Sequence, residues 1–406
     1  MEKIVLSLIG LLLFSAEKIS AQDNDIVCPT MDGVETIHIN NPEPNPNNNL
    51  IWLPEIASDI SFTLFKLPQG LNSGYVQRVY IDSDYIVVKC IQNVLCYSKS
   101  GDLLNNIGTI DIPRETGGVF HLRPAAIFID TYKKEICVSY CLRELEEYHN
   151  LCFYDYSGKL IRKESNLPFR YMDFVITDNA ICTYNGSYHE LRNPDNLEDR
   201  YYNELSVVSN GRTRRFIPSI LAKDQESYGM TFNFSDLKDS FTFHFIYSNT
   251  IYSIDRKTSD VKAKYRIDFG ENGFPDFSKM SSSEVSSFIK EKSRGKIGLV
   301  QNVLENGKYL VFSYYMNGPM VQSIVIYDKA SKRILYHGPL VSNSKITSHS
   351  SNPQLIGIDG ENLYFELSID ESNPVLPSAE EVLGKDNYDM LLKNKDDFVV
   401  MSVKLK

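Results

Sequence analysis

From Gly74 onward the chain alternates short β-type runs with tight polar turns, and two patterns of hydrophobic and polar positions recur. In the first, an apolar residue leads into a short acidic or amide turn, and a run rich in β-branched and aromatic residues follows. It occurs at Ile81-Asp82-Ser83-Asp84 before Tyr85–Val88, at Ile129-Asp130 before Glu135–Tyr140, and at Ile176–Asn179 before Ala180–Tyr184. It returns at Leu237–Ser240 before Phe241–Phe245, at Leu304–Gly307 before Tyr309–Tyr314, and at Ile358–Gly360 before Leu363–Leu367. Asp and Asn fall at these turns because their side chains bond to nearby backbone and tolerate left-handed conformations. The second pattern is a hairpin signal: Tyr97-Ser-Lys-Ser-Gly101, Tyr154-Asp-Tyr-Ser-Gly158, Val208-Ser-Asn-Gly211, Ile254–Val261 and Tyr327–Ile334. Between the turns the runs have the composition and length of strands.

A β-meander cannot bury both faces by itself, but six arranged radially bury one another and leave only short edges. The pattern predicts an all-β chain, a six-bladed β-propeller of four-stranded antiparallel blades with short helical inserts. Its units exceed the about 40–50 residues of common propeller repeats and so carry insertions. One insert is marked by a capping box, Ser281 with Glu284, followed by Val285, Phe288 and Ile289 on one face; Ser378 with Glu381 opens a second. The last strand is Phe398–Leu405, and either Glu35–Ile39 or Ile60–Lys66 is expected to pair with the last blade and close the ring. The expected organisation is a signal peptide over 1–21, a polar leader over 22–50 and one propeller over 51–406. Two domains split at the serine run after Met280 are the competing arrangement.

On these residues the chain resembles a six-bladed β-propeller family of exported bacterial proteins of unknown function, relatives of TolB-like and NHL-type propellers. The resemblance is carried by Gly117-Gly118-Val-Phe120 through Pro124 and Phe128-Ile-Asp130, and by Leu167-Pro168-Phe169 through Asp173-Phe174. Asn249-Thr-Ile-Tyr252-Ser-Ile-Asp255, Tyr265–Gly270 and Leu304–Tyr314 extend it along nearly the whole mature chain. At the blade-two turn Arg114-Glu115-Thr116-Gly117-Gly118 stands where the family shows Gly-Pro-Gly-Glu. The resemblance implies a fold and brings no assigned activity with it.

Composition narrows the function classes. With 42% apolar and 23% charged residues the chain is globular, and its formal net charge of −10 repels phosphate backbones, so no nucleic-acid partner is expected. Lys3, the apolar run Ile4–Ala16 and Ile19-Ser20-Ala21 read as a secretory signal leaving Gln22 first, with Phe14-Ser15-Ala16 as a second cleavage option. The context of Cys28 does not resemble a lipoprotein signal, and no later segment has the length of a transmembrane span. The expected product is a monomer in the periplasm or outside the cell, not lipid-anchored. Of the seven cysteines at least one must be unpaired, and most sit inside β-runs and read as buried thiols; a Cys141–Cys152 cross-strand bridge is an alternative that spacing does not decide.

Catalytic signatures are missing: no Gly-x-Ser-x-Gly elbow, no phosphate loop before a helix, and no histidine or cysteine pair at zinc spacing. His244 reads as a strand residue, and the acidic turn residues Asp82, Asp130, Asp155, Asp255, Asp328 and Asp359 read as turn formers. No cofactor or metal is expected. The candidate ligand residues are those entering the innermost strands: His121 and Arg123, Arg170 and Tyr171, His349 and Asn352. Arginine forks and tyrosine rings suit carboxylates or sugars. The expected function is non-catalytic binding of a glycan, peptide or protein at the channel mouth. A metal-dependent hydrolase or lyase of the lactonase type and a structural assembly scaffold are the alternatives.

Overall fold

The computed structural model of the chain describes residues 26–39, 56–71, 76–113, 119–141, 149–167, 173–184, 203–210, 212–218, 234–245, 248–275, 277, 280–316, 322–339, 354–367, 385–386, 389, 393 and 398–406. Its strands form six antiparallel meanders. Blade one runs Val76–Ile81, Tyr85–Cys90, Val94–Ser98 and Leu103–Ile107; blade two runs Val119–Asp130, Glu135–Cys141, His149–Asp155 and Leu160–Leu167. Blade three runs Asp173–Ile176, Ile181–Tyr184, Asn203–Ser209 and Arg212–Pro218; blade four runs Phe234–Asp236, Ser240–Phe243, Thr250–Asp255 and Val261–Asp268. Blade five runs Ile297–Glu305, Tyr309–Met316, Gln322–Asp328 and Arg333–Pro339. The first strands of successive blades lie against one another from blade two round to blade one, which makes them innermost around a central channel. Blades one and two are joined by the Tyr80 hydroxyl, which donates to the Ile127 carbonyl at 3.2 Å.

Each copy of the first sequence pattern is the turn from a blade's first strand to its second, and each copy of the second is the hairpin from third strand to fourth. Blade six has no such hairpin. Its strands are Gln354–Asp359, Asn362–Leu367, Phe398–Leu405 and then Ala57–Phe65 from the other end of the chain, with Val400 opposite Thr63 and Val403 opposite Ile60. Of the two candidate closing segments, the one around Ile60 occupies the place. Glu35–His38 goes elsewhere: it adds in parallel to the outer strand of blade four, with Ile37 opposite Ile267. Ile26–Val27 adds in the same way to blade three. The leader is thus a strap on the outer rim, with Ile37 and Ile39 buried between blades four and five and Glu35 held by Tyr327 and by Lys332 at 2.9 Å. Residues 1–25 and 40–55, which include the signal, lie outside the described residues.

The core is the set of blade-to-blade interfaces. One cluster joins blades five, six and one around Phe65, Tyr97, Val311 and Phe365; another joins blades two, three and four around Phe128, Phe174, Phe241 and Phe243. The hairpin glycines serve these interfaces. Gly158 has φ +80° and lies so close to blade one's outer strand that a Cβ would come within 1.4 Å of the Asn105 side chain. Gly101, at φ +93°, lies against the Leu64 carbonyl in the same way. Only glycine supplies both the turn and the close approach. The capping box at Ser281 forms, with the Ser281 N–H donating to Glu284 at 2.7 Å, and opens the helix Ser282–Ser287, whose Val285 packs on Phe274 and Phe277. Ser378 and Glu381 lie outside the described residues.

The strand register separates the two cysteines considered for a bridge: Cys141 stands opposite His149, and Cys152 opposite Val138. Cys152 is a free thiol, which corrects the bridge expectation. Cys90, Cys96, Cys137, Cys152 and Cys182 are buried and free, and Cys28 is exposed. Burial pushes the Cys90 thiol up to about 11 and those of Cys96 and Cys182 up to about 12, so at neutral pH the reactive thiolate is scarce as well as inaccessible. A thiol reagent should therefore modify Cys28 in the native protein and reach these five only after unfolding. Mass spectrometry finding four of the five labelled without denaturant would contradict the burial.

Candidate functional site

Inner strands of all six blades wall a cavity of about 320 Å³ in the channel. Its sides are apolar, with Ile81, Ile129, Val175, Phe234, Leu304 and Ile356 each supplied by a different blade. Arg78 of blade one meets Asp173 of blade three at 2.8 Å, and both side chains are largely buried. This pair crosses from one blade past the next and forms one end of the cavity. The other end lies at the C-terminal ends of the inner strands, where the acidic turns converge.

These turns divide into two kinds. Asp155, Asp255 and Asp328, in the outer hairpins, accept hydrogen bonds from their own turns, which hold their carboxyls below the usual range. Asp82, Asp130, Asp236 and Asp359, at the inner turns, reach into other blades. Asp82 accepts from the Tyr156 hydroxyl at 2.6 Å and from Lys134 Nζ at 3.1 Å, both on blade two. Arg256 of blade four joins Asp130 of blade two, at 3.1 Å, to Asp236 of its own blade, and its guanidinium lies 4.4 Å from the centre of the Phe241 ring. Asp236 also accepts from the Thr131 hydroxyl at 2.8 Å. Glu305 of blade five is fully buried and holds Lys264 and Lys329, each at 2.7 Å. Asp359 of blade six faces Lys99 of blade one at 3.6 Å. Asn306 donates to the Gly360 carbonyl at 2.8 Å, joining blades five and six. The mouth is therefore a girdle of blade-to-blade latches in which each of these carboxylates has a cation within reach.

Burial and pairing compete in this girdle. For Glu305 burial opposes ionisation, but Lys264 and Lys329 outweigh it and hold the carboxyl below its ordinary value. For Asp236 burial outweighs Arg256 and pushes the carboxyl up to about 6. Away from the girdle, on the second strand of blade six, burial pushes half-buried Glu366 up to about 7. Between about 4.5 and 7 the folded protein holds a proton on Glu366 that the unfolded chain has lost. The resulting stability is complete below the unfolded value and disappears as pH rises through 7. Glu366→Gln should remove this slope, so the wild-type stability minus the variant stability should fall by up to about 3 kcal/mol from pH 4.5 to 7.5. Parallel denaturation curves test it, and a difference that is flat with pH would refute it.

His121 and Arg123 lie in the N-terminal half of blade two's inner strand, opposite Asp111 and Cys141. Their side chains, and all of Arg170, Tyr171, His349 and Asn352, lie outside the described residues. His121 stands six residues before Ile127, which lines the cavity, so it is roughly 20 Å along the strand from it. The girdle residues Asp82, Lys134, Asp236 and Arg256, with Tyr132 at the lip, are not among those candidates. His244 is buried and bonds the Ser248 carbonyl at 2.8 Å. Among the described residues no three His, Cys, Asp or Glu side chains are grouped to hold a metal ion, and no helix is long and apolar enough to cross a membrane.

Among solved structures, the chain is similar to a protein of Bacteroides fragilis described as exported, with a TM-score of 0.59 and 14% identity over 94% of this chain and 100% of that one. It is also similar to a member of the DUF4221 family from Bacteroides vulgatus, with a TM-score of 0.46 and 12% identity over 86% and 98% of the two chains. At these identities the likeness concerns the fold. No curated protein matches the sequence. The sequence profile of DUF5128, a 6-bladed beta-propeller family, matches residues 51–353, and with inner strands from six blades now traced around one channel, the chain belongs to that family.

Proposed function

We propose that this chain is an exported, monomeric binding propeller that takes a glycan, peptide or protein at the mouth of its channel without transforming it. The observation that carries the reading is the cavity of about 320 Å³ walled by all six blades, within the size range of small-ligand sites. Its lip is built from turns locked by blade-to-blade bonds, so the site is organised before any ligand arrives. The reading places binding at the C-terminal ends of the inner strands. His121 and Arg123 lie toward the opposite end of blade two's inner strand, while Arg170, Tyr171, His349 and Asn352 lie outside the described residues. Export rests on the leader pattern of Met1–Ala21 and on the B. fragilis relative. Kinship with TolB-like and NHL-type propellers belongs to the same reading.

The experiment is a thermal-shift screen of the mature chain against glycans, peptides and divalent ions. A ligand present at 100 times its dissociation constant stabilises by about 2.7 kcal/mol and raises the melting temperature measurably. Absence of any shift across the three classes would sink the binding reading, and turnover of a bound probe would sink its non-catalytic part.

A further inference from the structure

We infer that the lip of the channel recognises an uncharged saccharide, which stacks on Tyr132 and directs its hydroxyls to the girdle; the inference rests on the binding reading above. Charge comes first. Five carboxylates line the cavity, and all five have a cation of the protein within 4 Å: Asp82 with Lys134, Asp173 with Arg78, Asp236 with Arg256, Glu305 with Lys264 and Lys329, Asp359 with Lys99. A cationic ligand would have to displace one of these partners, and an anionic ligand would have to win Arg78 or Lys134 from its carboxylate. For an anion that exchange leaves Asp173 or Asp82, both largely buried, without its cation, which is strongly unfavourable; a cation would only replace a charge that already neutralises the carboxylate, so it gains little. Hydroxyl groups make no such demand. They add to lone pairs that the cations leave open, as on Asp359, whose side chain is 36% exposed.

The second observation is the placement of an aromatic ring. Tyr132 lies at the lip of the cavity and is 53% exposed. Its turn is locked. Asp130 accepts the backbone N–H groups of Tyr132 and Lys133 at 3.1 and 2.9 Å, Arg256 holds Asp130, and the guanidinium lies 5.3 Å from the centre of the Tyr132 ring. A large ring held rigidly in solvent beside a cavity adds little to folding. It offers a flat apolar face next to hydrogen-bonding groups, the pairing that matches a sugar's C–H face and its hydroxyls. The cavity is at the small end of ligand sites, so it suits a terminal sugar unit with the remainder of the glycan over the lip.

The test titrates the mature chain calorimetrically with neutral oligosaccharides, with their uronate and amino-sugar counterparts, and with neutral and charged peptides. A neutral saccharide should bind at least tenfold more tightly than its charged counterparts. Tyr132→Ala should weaken it at least tenfold while lowering the melting temperature of the free protein by no more than about 2–4 °C, the worth of the ring's contact with Arg256, and Tyr132→Phe should retain binding. Stronger binding of a uronate or amino sugar would overturn the inference, as would unchanged affinity in Tyr132→Ala. Binding of a peptide and of no saccharide would overturn it while leaving the binding reading intact. Binding of nothing would remove both.

Discussion

Deleting Phe398–Lys406 should abolish the folded state of the whole ring, not fray one end of it. The segment supplies the third strand of blade six, between Asn362–Leu367 and Ala57–Phe65. Val399, Val400, Met401, Val403 and Leu405 are all buried. At about 1.5–3 kcal/mol per buried side chain, the loss comes to roughly 8–15 kcal/mol. That is as large as the whole stability of a typical domain, about 5–15 kcal/mol. The deletion also strands Ala57–Phe65, which has no other partner strand among the described residues, and bares two strand edges that invite aggregation. The expected result is insoluble protein, or soluble protein without a cooperative melt. A monomer melting within a few degrees of the full chain would overturn the single-ring account. Truncation after Met280 probes the same closure from the other side, because it exposes blade four's contacts with blade five, including Ile37 and Phe269. A cooperative, monomeric transition for Gln22–Met280 would favour two domains.

What could be read in the sequence follows the range of the interactions. The turns between first and second strands and the outer hairpins are set by side chains bonding within three or four residues, and those positions are explicit in the residue order. Asp155 illustrates this: its carboxylate accepts the N–H of Lys159 four residues on. Asp82 and Asp155 look alike as turn residues, yet only Asp82 faces the channel, where it meets a tyrosine 74 positions away. The two turn patterns tell an inner turn from an outer hairpin, but neither records the distant partner that the inner carboxylate meets. Arg256 follows an aspartate in a hairpin, a site that normally holds a solvated charge, and its burial comes from the packing of blades two and four. The leader is a third case. Glu35–His38 shows a strand composition, but its parallel partner lies 230 residues downstream, so its place on blade four was not legible. The turn Thr131-Tyr132-Lys133-Lys134 did carry one usable signal, an aromatic residue in an otherwise polar turn.

Arg256→Ala should be the most damaging single substitution among the girdle residues. The guanidinium is nearly buried, and it bonds Asp130 and Asp236, which are likewise poorly exposed. Removing it leaves two carboxylates near one another in a site that already pushes Asp236 up to about 6. Breaking a buried pair by deleting one partner costs about 3–5 kcal/mol, chiefly through the charge left behind. The mechanism sets the pH dependence. Proton uptake by the unpaired Asp236 relieves the penalty, so the loss should be smaller at pH 5 than at pH 7.5. Arg256→Lys keeps the charge and lacks the fork that spans both carboxylates, so its cost should be intermediate. Asp236→Asn in the Arg256→Ala background should recover part of the loss, with a coupling of about 0.5–3 kcal/mol in a double-mutant cycle. Denaturant melts of the wild type, the Arg256→Ala, Arg256→Lys and Asp236→Asn variants and the double variant at both pH values decide the matter. A loss that is the same at pH 5 and 7.5, with no recovery in the double variant, would mean that Arg256 acts by packing on Phe241 and not by neutralising the two carboxylates.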